Sequence, residues 1–141
     1  MDINEIYSQI ILEHSSSKKN MKKLENYTIS KKGINPSCGD EIVLELYIKD
    51  NIVIDASFKG EGCAISKAST SIMIDQIKGK SLDEAKEISD LFIKLIRKEN
   101  LSDIEKESLG DAIALENISN MPGRVKCATL PWYTLKEIDL K

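Results

Sequence analysis

Two neighbouring segments of this chain alternate apolar and polar residues, with only three polar residues between them. Over residues 41–48, Ile42, Leu44, Leu46 and Ile48 oppose Glu41, Val43, Glu45 and Tyr47. Over residues 52–59, Ile52, Ile54, Ala56 and Phe58 oppose Val53, Asp55, Ser57 and Lys59. A period of two sends successive side chains to opposite faces of a strand, so both segments read as half-buried strands. The break Lys49-Asp50-Asn51 is short enough to make them a hairpin. If the hairpin turns about Asp50, residue 40 lies opposite residue 60. Cys38, just before the first strand, and Cys63, just after the second, then reach the same end of the sheet, 25 positions apart in sequence.

The rest of the chain reads mainly as helix. Ile3, Ile6, Tyr7, Ile10 and Ile11 keep helical spacing over residues 3–14, in a stripe that ends at the lone histidine, His14. His14 reads as a helix-end residue touching core or solvent, since nothing nearby recruits it as a ligand. Residues 15–20, Ser-Ser-Ser-Lys-Lys-Asn, read as a mobile polar connection, and residues 27–31 as an edge strand. A helix over residues 64–77 carries Ile65, Ala68 and Ile72 on one stripe, with Gly79 past its end. Ser81-Leu82-Asp83-Glu84 is a capping-box pattern opening a helix with Ala85, Ile88, Phe92 and Leu95 inward. Ser102-Asp103-Ile104-Glu105 could cap a short helix, and Met121-Pro122-Gly123 reads as its break. A last helix is expected from about Cys127, with Leu130, Trp132, Leu135 and Ile138 as its apolar contacts.

A length of 141 residues fits one domain with a real core. The net charge of −3, from 20 basic and 23 acidic residues interspersed, argues against nucleic acid as a partner, because phosphate binding needs a basic face. No apolar run approaches the roughly 20 residues of a membrane span. The start, Met1-Asp2-Ile3-Asn4-Glu5, lacks the basic and apolar regions of a signal peptide, so a cytoplasmic location is the expectation.

In a reducing compartment, three cysteines point to metal or thiol chemistry rather than disulfides. Their neighbourhoods, Pro36-Ser37-Cys38-Gly39-Asp40, Gly60-Glu61-Gly62-Cys63-Ala64 and Arg124-Val125-Lys126-Cys127-Ala128, are unlike those of buried apolar cysteines. Cys63 sits where a glycine-rich loop enters a helix, whose free N–H groups favour a thiolate. Cys127 is expected in a similar setting. Asp40, two residues after Cys38, points the same way in an extended segment and can share a site with it. Three thiolates and a nearby carboxylate can complete a tetrahedral metal site. Arg124 is one of only two arginines among the 20 basic residues and stands three positions before Cys127. Its planar fork offers what a lysine cannot.

On these residues the chain resembles the SufU branch of the U-type iron–sulfur assembly proteins, related to IscU and the NifU N-terminal domain. The resemblance rests on Asn35-Pro36-Ser37-Cys38-Gly39-Asp40, on residues 58–66 (Phe-Lys-Gly-Glu-Gly-Cys-Ala-Ile-Ser) and on residues 124–130 (Arg-Val-Lys-Cys-Ala-Thr-Leu). The 64-position separation of Cys63 and Cys127 leaves room for a SufU-type helical insertion within about residues 82–100 of a single 1–141 domain. Lys126 stands where IscU-like scaffolds carry a histidine. The loop after His14 lacks the proline usual there.

The resemblance implies an α+β fold, a small antiparallel sheet of about three strands packed against helices. It implies zinc on Cys38, Asp40, Cys63 and Cys127, and a SufS-type PLP-dependent cysteine desulfurase as partner. Cys38 would accept the sulfur, with Arg124 steering docking or stabilising a departing thiolate. The sulfur would pass to a downstream SUF scaffold or to apo-acceptors. Two rival roles use the same ligands: a scaffold holding iron or a [2Fe-2S] cluster, and a purely structural zinc module.

Overall fold

The computed structural model describes residues 2–37 and 39–139. Strand β1 (Ile29–Asn35) pairs antiparallel with β2 (Asp40–Lys49), and β2 with β3 (Ile52–Glu61), so the described residues form one sheet in the order β1-β2-β3. The expected hairpin is present. Its turn is tighter than the three-residue break suggested, because Asp50 and Asn51 both hold positive φ, 53° and 63°. Two such residues in succession match the twist of the flanking strands, and Asn and Asp tolerate that region best among non-glycines.

That turn moves the register. Ile42 pairs with Gly60 and Glu41 with Glu61, so residue 40 does not lie opposite residue 60. A bulge near the turn joins Tyr47 to Asp55 and Ile48 to Val53, leaving Ile54 as the extra residue. One extra residue reverses a two-residue period. Val53 is therefore fully buried and Ile54 is 49% exposed, the reverse of the expected facing, while Ala56 and Phe58 face inward as expected. Strand β1 runs over 29–35 rather than 27–31 because Lys31, Lys32 and Gly33 carry no alternation. Gly33 is buried, and a Cβ there would run into Thr134.

α1 (Ile3–Ser16) starts at Asp2, whose carboxylate accepts the Glu5 N–H at 2.9 Å. α2 (Ala64–Ile77) is the central helix, with Ser66, Ala68, Ser69, Thr70, Ile72, Met73 and Ile77 all buried. α3 (Leu82–Ile96) opens on the expected capping box of Ser81 and Glu84 and buries Ala85, Ile88, Phe92 and Leu95. The short α4 (Asp103–Ser108) opens on a second box, Ser102 with Glu105. A 3-10 segment, Gly110–Asn120, leads into α5 (Pro122–Lys136). α2 packs on β3, and α5 on β1 and β2.

The start of α5 departs from expectation. Met121-Pro122-Gly123 opens the helix instead of breaking the preceding one, because a proline at the first helical position loses no hydrogen bond. Cys127 therefore sits in the second turn of α5, not at its N-terminus as expected.

Phe92 of α3 stacks on Trp132 of α5 at 4.3 Å between ring centroids. Trp132 Nε1 donates to Ser69 Oγ at 2.8 Å, and that hydroxyl donates to the Ala128 carbonyl at 2.5 Å. One buried ring and one buried hydroxyl thus fix α2, α3 and α5 together.

The connection after α1 is anchored rather than mobile at its end. Asn20 is 2% exposed, and its amide donates to the Ser71 carbonyl at 3.0 Å and to Asp75 Oδ1 at 3.1 Å. His14 Nδ1 lies 2.8 Å from Ser71 Oγ, so the histidine is the helix-end residue expected. Burial opposes ionisation of Asp75, but bonds from Lys19 and Asn20, with the nearby charges of Lys19 and His14, hold it below the usual carboxylate range. A carboxylate lowered in the folded state adds stability above its unfolded pKa, and that stability is lost as pH falls through the folded value. The urea midpoint is expected to fall between about pH 5 and about pH 3, with a shallower slope for Asp75→Asn. Equal slopes in the two proteins would contradict this role.

Candidate metal centre

The hairpin and two helix packings bring three candidate ligands to one end of the sheet. Asp40 is the first residue of β2 and is fully buried. Cys63 follows β3 as the N-cap of α2, with φ −73° and ψ 167° and no side-chain capping bond, so its sulfur is left for other partners. Cys127, fully buried, comes from α5. One carboxylate oxygen of Asp40 and the two sulfurs all lie within 4.8 Å of one another. Of the four ligands expected from sequence, these three converge; Cys38 lies outside the described residues. Gly39 after it is at φ +72°, and Ser37 before it is exposed.

Asp40 Oδ1 accepts the Cys63 backbone N–H at 3.0 Å, which fixes the carboxylate against the start of α2. Its Oδ2 is buried without a hydrogen-bond partner. A buried carboxylate oxygen with no donor is costly unless a cation takes it. Burial opposes ionisation of Cys63. The N–H groups of Ser66 and Ile65 and the Cys127 side chain outweigh that, and the raising effect of Asp40, so its pKa lies below that of an ordinary thiol. An open helix N-terminus favours such a thiolate. A borderline-soft divalent ion with four N, O or S ligands fits this donor set.

The glycines of the loop are spatial requirements. Gly60 is at φ +135°, and a Cβ there would collide with the Glu41 backbone. A Cβ on Gly62 would collide with Ser66 Oγ and lie 2.7 Å from Asp40 Oδ1. Gly62→Ala is therefore expected to push Asp40 out of position without removing a ligand. Zinc affinity by chelator competition should fall by roughly 10–100-fold, and an unchanged affinity would show that Asp40 does not need this packing.

Arg124 is exposed on the first turn of α5, three residues before Cys127, and Lys126 is exposed beside it. Sequence reasoning missed two contributors. One is the Cys63 backbone N–H, which no side-chain pattern reports. The other is Ser66, whose hydroxyl donates to the Cys63 carbonyl at 3.0 Å and which appears in sequence only as a polar residue in the first turn of α2.

Known proteins resemble this chain over most of its length. Residues 6–128 match the family model described as the NifU-like N terminal domain. The chain is 42% identical over 132 residues to the iron–sulfur cluster assembly scaffold protein IscU of Thermotoga maritima, covering 94% of this chain and 91% of that one. It is 39% identical over 136 residues to the zinc-dependent sulfurtransferase SufU of Bacillus subtilis, covering 96% and 90%. The crystal structure of FiSufU from Fervidobacterium islandicum AW-1 superposes with a TM-score of 0.86 at 38% identity, covering 96% of this chain and 97% of that one. A NifU-like N-terminal structure from Brucella abortus shares the fold, with a TM-score of 0.79 at 20% identity and coverage of 96% and 92%.

Proposed function

This chain belongs to the family of NifU-like N-terminal domains, and on that premise we propose that it is a zinc-dependent sulfur carrier in iron–sulfur cluster assembly. It takes sulfur on Cys38 from a SufS-type PLP-dependent cysteine desulfurase and hands it to a SUF scaffold or to apo-acceptor proteins. The observation that carries this reading is the convergence of Asp40, Cys63 and Cys127 within 4.8 Å, Asp40 being two residues from Cys38 in sequence. A relative at 39% identity is named as a zinc-dependent sulfurtransferase, which supports the choice of metal and role.

Cys38, Asp40, Cys63 and Cys127 are the residues that would hold the zinc. Once bound, zinc keeps thiols as thiolates and brings no redox chemistry of its own. In the transfer we assign to it, the Cys38 thiolate attacks the outer sulfur of the desulfurase persulfide. A new S–S bond forms on Cys38 as the old one breaks, and the electron pair leaves on the desulfurase cysteine. The step consumes neither oxidant nor reductant. Arg124, exposed one turn before Cys127, is placed to steer docking or to stabilise that departing thiolate. Residues 82–100, which include α3, are the segment we assign to the insertion of this branch.

A second reading is kept because a 42% identical relative is named as an assembly scaffold: the same ligands would then carry iron or a [2Fe-2S] cluster as cargo. Alanine release by the desulfurase, measured with and without the zinc-loaded chain, separates the two. Stimulation is expected for the carrier. No stimulation, together with a visible absorbance band after anaerobic reconstitution and transfer to an apo-acceptor, would favour the scaffold.

A further inference from the structure

Two side-chain polar atoms among the described residues are buried without a hydrogen-bond partner: Asp40 Oδ2 and Asn35 Nδ2. One is an acceptor and the other a donor. Asn35 is the last residue of β1 and is only 6% exposed, while Asp40 is the first residue of β2. They are direct partners in the β1–β2 register. Directly opposed residues of an antiparallel pair project from the same face, with Cβ atoms about 4.5–5.5 Å apart. An asparagine amide and an aspartate carboxylate can bridge that gap by rotation about their terminal bonds.

We propose that Asn35 is a positioning residue of the metal centre: its amide donates to Asp40 Oδ2 and fixes the direction in which the carboxylate presents its ligand lone pair. With that rotation made, Asp40 is held on both oxygens, by the Cys63 N–H already on Oδ1 and by the Asn35 N–H brought onto Oδ2. Each carboxylate oxygen has two lone pairs, so Oδ2 can take the amide and a cation together. A ligating carboxylate oriented by a hydrogen-bond donor binds its metal more tightly, and loss of such a donor costs about 10–100-fold in affinity. A polar residue kept only to close the hairpin has no reason to be buried with its donor unpaired, since the unmet amide works against folding.

This inference rests on the zinc reading above, and its test separates the two. Zinc affinity is measured by competition with a chromophoric chelator for the full chain, Asn35→Leu, Asp40→Ala and the double variant. Asn35→Leu is expected to weaken zinc binding by about 10–100-fold in the parent and to change little once Asp40 is already alanine. An equal loss in both backgrounds, or no loss in the parent, would overturn the positioning role. A second readout does not depend on the variant folding. In the unsubstituted chain, the Asn35 side-chain amide signals in NMR should shift and exchange more slowly when zinc is added. Zinc binding at the expected affinity with unmoved Asn35 signals overturns this inference alone; no zinc binding by the parent overturns the metal reading and this inference with it.

Discussion

Cys38→Ser is expected to reduce stimulation of the desulfurase to background while leaving the fold in place. The sulfur-accepting group must be a good nucleophile at neutral pH, and a cysteine thiol meets that condition where a serine hydroxyl does not. Position 38 falls between the end of β1 at Asn35 and the start of β2 at Asp40, and its described neighbours Ser37 and Gly39 are exposed, so the cost in stability should be about 1 kcal/mol or less, read from a urea midpoint. Cys127→Ser should behave differently, because Cys127 is fully buried in α5 and its loss would disturb metal and packing together. Full stimulation by Cys38→Ser would remove Cys38 as acceptor and require one of the other two cysteines in its place.

Trp132→Ala is expected to destabilise the protein by about 3–5 kcal/mol, the range for deleting a large buried aromatic. The ring is fully buried, stacks on Phe92 at 4.3 Å and donates to Ser69 Oγ at 2.8 Å. Its removal would open a cavity where α2, α3 and α5 meet and strip Ser69 of one partner. Thermal denaturation should show a midpoint roughly 10–17 °C lower. The same variant should bind zinc more weakly although Trp132 is not itself a candidate ligand, because α5 carries Cys127. Ile104→Ala is the matched control: Ile104 is 77% exposed, and its loss should stay within about 0.5 kcal/mol. A Trp132→Ala loss below about 1 kcal/mol would show that the three helices are held by something other than this contact.

Much of this was legible in the residues, and what was not has identifiable causes. The hairpin was readable because β2 and β3 keep apolar residues at alternate positions, and the capping boxes of Ser81 and Ser102 were readable because their chemistry is local. The facing of Ile54 was not, since a bulge leaves no mark on an alternation that runs through it. The start of α5 was missed because Met121-Pro122-Gly123 serves equally to end one element or begin another. Asn20 looked like part of a polar linker, yet its partners, Ser71 and Asp75, lie more than 50 residues away. The candidate ligands themselves were legible from residue type and neighbourhood. Their convergence was also inferable, but through a register two residues from the observed one. What can be seen of it is the meeting of Asp40 with Cys63, because the start of β2 and the end of β3 still lie at the same edge of the sheet; Cys38 lies outside the described residues. The Asn35–Asp40 pairing required the register itself.

The most direct test of sulfur transfer is the intact mass of the zinc-loaded chain after incubation with its desulfurase and cysteine, followed by mapping of the modified peptide. A carrier gains roughly 32 Da, one sulfur, on the peptide containing Cys38, and loses it on reduction. An active desulfurase that leaves the mass unchanged, or an adduct confined to Cys63 or Cys127, would contradict transfer through Cys38.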